Sequence, residues 1–386
     1  MIDKLDEKYC TGCFACMQKC PKGCITVGKD KDGFLRPEID HDKCIGCDLC
    51  EKVCPQINAP VFNDSIEAYA MKSKEFIVNS TTAGIFAISA SHILMNNGVV
   101  FGVRLTEKNK AETVYITKTD DLKYLQGSKY VQSYTGNCYK EAEAFLKDGR
   151  TVLFSGTPCQ IAGLKQYLNK EYDNLYTIDL VCHGVPSQEL FDSFWDHMEK
   201  KNNQKLSEWR FRAKEAEGWT QVDHLIFEKK HLYQNEYSNP YTYHFLKGSI
   251  LRESCYNCQF SQKKRVGDIT LGDYWGIQQF HPDFMSDEGV SLVLANTSQG
   301  ARLLDEIKDK VIMINSEIKN MQLRNKGLVC KAERPPEREK IYEDYHRLPF
   351  EQFIKERLSI PFSLKRSLKS LLPYKLRKAM KQMLKK

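Results

Sequence analysis

The sequence predicts a small cysteine-rich α+β domain, a larger mixed α/β domain containing a parallel βαβ unit, and a C-terminal helical tail. Three observations predict it. The first 58 residues carry a duplicated run of closely spaced cysteines. From Ile66 onward, helix-like and short apolar strand-like segments alternate, divided by Gly and Asn stop signals. After Pro361, apolar residues recur at helical spacing among basic residues and no acidic ones.

In the duplicated run, Cys10, Cys13 and Cys16 stand at C-x-x-C-x-x-C spacing before Cys20-Pro21, and Cys44, Cys47 and Cys50 repeat it before Cys54-Pro55. A 4Fe–4S cubane needs four converging thiolates. The short loop supplies three, and the cysteine before the proline serves the other cluster. Cys10, Cys13, Cys16 and Cys54 are therefore expected to hold one cluster, and Cys44, Cys47, Cys50 and Cys20 the other. Gly12 and Gly46 suit the tight turns, and the prolines end each loop. Zinc sites use four ligands, usually in two C-x-x-C pairs, which fits two complete runs poorly. The reading is a ferredoxin-like domain over residues 1–58, a one-electron wire whose iron sites are filled by protein. Cys24 is left over and reads as a small core residue. Residues 59–65 read as a linker.

The second domain is expected over 66–330. Ile85 to Met95 reads as a helix stopped at Asn96-Asn97-Gly98, followed by a strand at Val99 to Val103. Tyr139 to Lys147 is a helix with Gly149 as its stop, and Thr151 to Phe154 is the next strand. Thr157 then suits an N-cap and Pro158 the first turn of a helix running to about Leu168. The strand Leu175 to Val181 ends at Cys182-His183-Gly184. This strand–helix–strand run is a parallel βαβ unit, so the loop with Cys159 and the end carrying Cys182 share the carboxyl edge of the sheet, where ligands bind. Cys159 also lies at a helix N-terminus, which favours a thiolate by about 0.3–1 kcal/mol. With Cys255 and Cys258 these make four thiols, suited to a third 4Fe–4S cluster or to zinc; buried cysteines that hold nothing are the bland alternative.

At these residues the chain resembles the beta-subunit family of coenzyme F420 hydrogenases and dehydrogenases. The matching stretches are SGTPCQIAGLK (155–165), DLVCHGVPS (179–187), the C-x-x-C at 255–258 and GDITLGDYWG (267–276), with NSTTAG (79–84) and LQGSKYVQS (125–133) also similar. The resemblance implies a flavin, FAD or FMN, beside a 4Fe–4S cluster on Cys159, Cys182, Cys255 and Cys258. It further implies that the flavin lies among Ser80, Thr81, Thr82, Gly84, Gly127, Ser128, Lys129, Tyr130, Gly156 and Thr157. Lys129 near the flavin N1/C2 edge would stabilise a reduced, anionic ring. His183 reads as a proton relay or as a hydrogen-bonded structural residue, and both readings stand. Without the resemblance, Ser80–Thr82 read as an N-cap and Gly127 as a plain turn.

Trp209 to Lys214 alternates as an amphipathic strand, Gly218-Trp219 reads as a turn, and Cys138 and Cys330 have no evident partners. Glu333 to Arg338 reads as the end of the compact domain, leaving 331–386 as a helical region. Of 57 Lys and Arg, nine lie in 361–386; the remaining 48 face 50 acidic residues, a balance of −2. A near-neutral body argues against nucleic-acid binding. The basic amphipathic tail suits an anionic membrane surface, or packing on the body or a partner. No signal segment opens the sequence, and the apolar stretch Ile85 to Val103 is broken by His92, Asn96, Asn97 and Gly98, so a cytoplasmic location is expected, peripheral at the inner membrane if the tail binds there. The functional expectation is an oxidoreductase that passes electrons between a two-electron donor (F420-like, flavin or nicotinamide) and one-electron clusters. The alternative is a non-catalytic electron-transfer subunit serving a partner reductase, possibly in surface polysaccharide synthesis by analogy with similar proteins. No G-x-G-x-x-G fingerprint is present, which weakens direct Rossmann-type NAD binding.

Overall fold

A computed structural model describes residues 2–107 and 109–362. The amphipathic tail expected over 361–386 lies outside the described residues but for its first two. No helix among the described residues is long and apolar enough to cross a membrane.

The cysteine-rich segment is built twice on one backbone plan. Gly12 and Gly46 have φ of 65° and 66°, and Phe14 and Asp48, each following the second cysteine of its run, are left-handed at 58° and 55°. Each left-handed residue opens a short helix, Ala15–Lys19 in one half and Leu49–Lys52 in the other. An antiparallel hairpin of β1 (Ile25–Lys29) and β2 (Leu35–Ile39) separates the halves. A left-handed non-glycine residue costs about 1–2 kcal/mol. Two such residues at matching points of a duplicated loop mark a shape held for what it surrounds.

The larger part is built from β3 (Glu67–Ser73), β4 (Val99–Leu105), β5 (Ala111–Ile116), β6 (Val152–Gly156), β7 (Leu175–Leu180), β8 (Leu206–Arg210), β9 (Val222–Phe227), β10 (His231–Asn235), β11 (Ile269–Asp273), β12 (Ser291–Ala295) and β13 (Val311–Asn315). Eight of these form one mixed sheet in the order β13-β3-β12-β11-β7-β6-β4-β5, while β8, β9 and β10 form a separate antiparallel sheet. Within the large sheet β4, β6, β7 and β11 are parallel neighbours, so their carboxyl ends share one edge. The helix between β6 and β7, Pro158–Leu168, completes the βαβ unit. Thr157 caps it in a capping box, with Gln160 Oε1 accepting the Thr157 N–H at 3.1 Å.

Three local expectations change. The strand expected from Trp209 to Lys214 instead spans Leu206–Arg210, because Arg212 turns left-handed at φ 61° and carries its side chain to the sheet edge. Ser80–Thr82 do not cap the following helix; Ile85–Met95 starts from left-handed Gly84, without a side-chain cap. The packed chain also continues past Glu333: helices Arg338–Arg347 and Phe350–Arg357 bury Ile341 and Phe353 in the core around Phe191, Trp209 and Tyr241.

Candidate electron-transfer site

Cys10, Cys13, Cys16 and Cys54 line one recess of about 320 Å³, together with Gly12, Pro37 and Pro55. Cys20, Cys44, Cys47 and Cys50 line a second of about 360 Å³. Cys24 is buried in the core, as expected, and also lines this second recess. Its Sγ lies 3.3 Å from Cys20 Sγ, and burial and the neighbouring Cys20 push its thiol up to about 12. Among the described residues no three His, Cys, Asp or Glu side chains gather to hold a single metal ion.

The first recess faces the body. Cys13 packs into the same core as Ala162, Cys159, Cys258 and Phe260, and a Cβ on Gly163 would meet Cys13 Sγ at 3.0 Å. Polar clamps hold this face. Gln132 exchanges both amide hydrogen bonds with Leu35, at 2.8 and 2.9 Å, and Thr135 donates to the Cys13 carbonyl at 3.1 Å. Gln259 donates to the Pro55 carbonyl at 2.7 Å, and Gln18 accepts the Tyr139 N–H at 2.8 Å. The second recess opens outward, with Cys47 and Ile45 exposed.

Cys159, Cys182, Cys255 and Cys258 meet over the carboxyl ends of β6 and β7. Burial pushes the Cys182 thiol well above its ordinary value, and the neighbouring Cys255, Cys159 and Cys258 thiols add to that. Burial likewise raises Cys255 to about 12, and Cys159 to about 11 against a lowering contact of 3.2 Å from the Thr157 hydroxyl. Cys159, Cys182 and Cys255, each pushed up and each feeling the neighbouring thiols, resist ionisation unless a cation neutralises them, which is the chemistry of a metal-thiolate site. The Gly184 N–H donates to Cys182 Sγ at 3.3 Å. At φ 121°, a Cβ on Gly184 would lie 3.2 Å from Cys255 Cβ, so glycine lets the two segments close up. Buried Arg265 fixes the segment after Cys258 by pairing with Asp179 of β7 at 2.9 Å and donating to the Phe260 carbonyl at 3.1 Å.

Residues 80–84 and 126–130, far apart in sequence, come together at the same edge. The Ser128 N–H donates to Thr81 Oγ1 at 3.0 Å, and Gln126 Nε2 to Ser80 Oγ at 3.4 Å. Thr82 donates to Asp273, at the end of β11, at 2.5 Å. Gly127 faces open space: a Cβ there would meet nothing within 4 Å. Lys129 donates to the carbonyls of Tyr124, Leu125 and Gln126, closing the short Leu122–Leu125 helix, and burial pushes its ammonium down to about 7. Tyr130 stacks on Phe245 at 4.5 Å. His183 donates through Nε2 to the Phe245 carbonyl at 3.0 Å, and burial lowers its pKa. Gly156 ends β6 and Thr157 caps the Pro158–Leu168 helix, its hydroxyl 3.2 Å from Cys159 Sγ.

Sequence reasoning passed over Asp273, Arg212 and Trp219. Arg212 binds Asp273 through both terminal nitrogens, and Trp219 Nε1 donates to Asp273 at 2.7 Å while stacking on Trp275 at 4.4 Å. Lys214, lowered to about 8 by burial, donates to the Thr82 and Glu288 carbonyls. Asp273 and Trp275 stood inside the GDITLGDYWG stretch, but their partners are some 60 residues away, and nothing in spacing pointed to them.

Residues 149–320 match the family described as the C terminus of the coenzyme F420 hydrogenase/dehydrogenase beta subunit, and residues 9–58 match a 4Fe-4S dicluster domain. The chain thus joins a segment that matches an iron–sulfur electron-transfer domain to one similar to the C terminus of that beta subunit, each under half of its length. Among solved structures, it is similar to a chain of the F420-reducing [NiFe] hydrogenase complex from Methanosarcina barkeri, at 14% identity over 78% of this chain and 98% of that one, with a TM-score of 0.48. No curated protein matches it.

Proposed function

We propose that this beta-subunit relative is an iron–sulfur flavoprotein oxidoreductase with three thiol-held centres in a row. The carrying observation is the adjacency of Cys13, in the inner ferredoxin recess, to Gly163 of the Pro158–Leu168 helix that also bears Cys159. Cys159, Cys182, Cys255 and Cys258 would hold one centre at the sheet edge. Cys10, Cys13, Cys16 and Cys54 would hold the next, and Cys20, Cys44, Cys47 and Cys50 the outermost, near the surface at Cys47. Such clusters carry one electron at a time, and a flavin at the edge supplies exchange of two. The chain's own residues tie the inner ferredoxin loops to the body through Gln132, Thr135 and Gln259.

The flavin reading is supported by the meeting of the 80–84 and 126–130 loops beside Asp273. The open Gly127 turn and the Ser80 hydroxyl are the groups that fit a flavin's polar edge. Lys129 fits less directly, since its ammonium already serves three carbonyls. That commitment favours the second reading, a subunit that relays electrons and binds no substrate of its own.

Anaerobic purification with iron, sulfide and flavin counted per chain tests both. About twelve iron, twelve sulfide and one flavin, with oxidation of reduced F420 or NADH by the protein alone, supports the first reading. About twelve iron without flavin or such activity supports the relay. About eight iron would refute a centre at the sheet edge.

A further inference from the structure

Four arginines are almost completely buried: Arg212, Arg252, Arg265 and Arg338. Three of them pair with carboxylates, Arg212 with Asp273, Arg265 with Asp179 and Arg338 with Asp32. Arg252 does not. Among the described residues no carboxylate makes an ion pair with it. Its Nε donates to the Cys10 carbonyl at 2.7 Å and its Nη1 to the Leu35 carbonyl at 2.8 Å. Its guanidinium lies 5.6 Å over the Phe34 ring. The carboxylate that feels its charge is Asp30, whose Oδ1 accepts the Asp32 and Phe34 N–H groups. Burying a cation is costly, and Arg252 has Asp30 near it but no carboxylate in an ion pair with it, so a further negative charge close to the guanidinium would stabilise it.

Its position names that countercharge. Arg252 stands three residues before Cys255, at the N-cap of the Glu253–Tyr256 helix; its carbonyl accepts the Cys255 N–H at 2.9 Å, and its own N–H donates to the Val185 carbonyl, in the loop after Cys182, at 2.9 Å. On its other side, Nη1 lies 3.0 Å from where a Gly12 Cβ would be, inside the loop that carries Cys10 and Cys13. A four-thiolate iron–sulfur centre is a net anion, and it gains a further negative charge on reduction. A fixed cation beside it stabilises the reduced form more than the oxidised one.

Resting on the three-centre reading above, we infer that Arg252 is the shared counter-cation of the sheet-edge centre and the inner ferredoxin centre, raising the reduction potentials of both and leaving the outer centre untouched. It acts as a positioning and tuning residue and takes no part in bond changes.

The test compares the full-length holoprotein with Arg252→Gln and Arg252→Lys, by iron and sulfide content and by potentiometric titration followed by low-temperature EPR. Arg252→Gln is expected to lower the midpoint potentials of two centres and leave the third at its wild-type value. Arg252→Lys, which keeps the charge, is expected to shift them less. Wild-type potentials in a fully loaded Arg252→Gln protein would overturn the inference, as would an equal shift of all three centres. If Arg252→Gln loses iron, Arg252→Lys decides: retained iron supports a charge role, and iron loss from both overturns it. A wild-type protein with about eight iron would refute the sheet-edge centre, while the inner ferredoxin potential would still decide what Arg252 does.

Discussion

The duplicated cysteine loops provide a matched pair of substitutions. Gly12 and Gly46 occupy equivalent positions with φ of 65° and 66°, so alanine at either meets the same left-handed cost of about 1–2 kcal/mol. Their surroundings differ. At Gly46 a Cβ meets nothing within 4 Å, whereas at Gly12 it would lie 2.7 Å from Gln132 Nε2, 2.9 Å from the Leu35 carbonyl oxygen and 3.0 Å from Arg252 Nη1. Making room there disturbs the two Gln132–Leu35 hydrogen bonds, each worth about 1 kcal/mol, and the charged bond from Arg252, worth about 1.5–3 kcal/mol. Allowing partial relaxation, Gly12→Ala is expected to cost about 2–4 kcal/mol more than Gly46→Ala. Anaerobic denaturant unfolding of the loaded proteins, followed both by cluster absorbance and by tryptophan fluorescence, measures the difference. Equal costs for the two variants, within about 0.5 kcal/mol, would refute the claim that the inner loop is clamped to the body at Gly12 while Gly46 faces open space.

Three further outcomes follow from single contacts. Thr157→Val removes the capping box of the Pro158–Leu168 helix and is expected to cost about 1 kcal/mol in thermal unfolding, and to raise the Cys159 thiol pKa in the metal-free chain by removing its hydroxyl contact. Asp273→Ala leaves Arg212 buried without its partner, and a loss of about 3–5 kcal/mol is expected, read by denaturant midpoint, with less flavin retained if the 80–84 loop helps to hold it. Burial pushes the Asp223 carboxyl up to about 7, against hydrogen bonds from Thr242 and Asn239, so between about pH 4 and pH 7 the folded chain holds a proton that the unfolded chain has released. Stability from this group therefore falls as pH rises through that window and is flat above it, and Asp223→Asn should gain on the wild type from pH 4 to pH 7 in paired melts.

Local sequence carried the parts of this protein whose causes are local. The duplicated C-x-x-C-x-x-C runs, the Thr157-Pro158 helix start and the alternation that makes β6, the following helix and β7 are each set by neighbours within a few residues. The parallel βαβ unit also fixed that Cys159 and Cys182 share an edge, because parallel strands end on the same side. Beyond these, tertiary structure decided. The joining of Cys255 to that edge depends on the Arg265–Asp179 pair and on Gly184, contacts across more than 70 residues. Arg212 turned out of an alternating strand because a half-buried carboxylate at the end of β11 outweighs a local propensity. The residues after Glu333 stayed with the body because Ile341 and Phe353 had apolar surface to bury. Arg252 reads in sequence as one basic residue among 57; only burial without an ion-paired carboxylate, between two sets of thiols, makes its charge informative. Spacing specifies which groups a short loop can bring together, whereas the field a charge sits in is set by everything packed around it, and that exists only once the chain is folded.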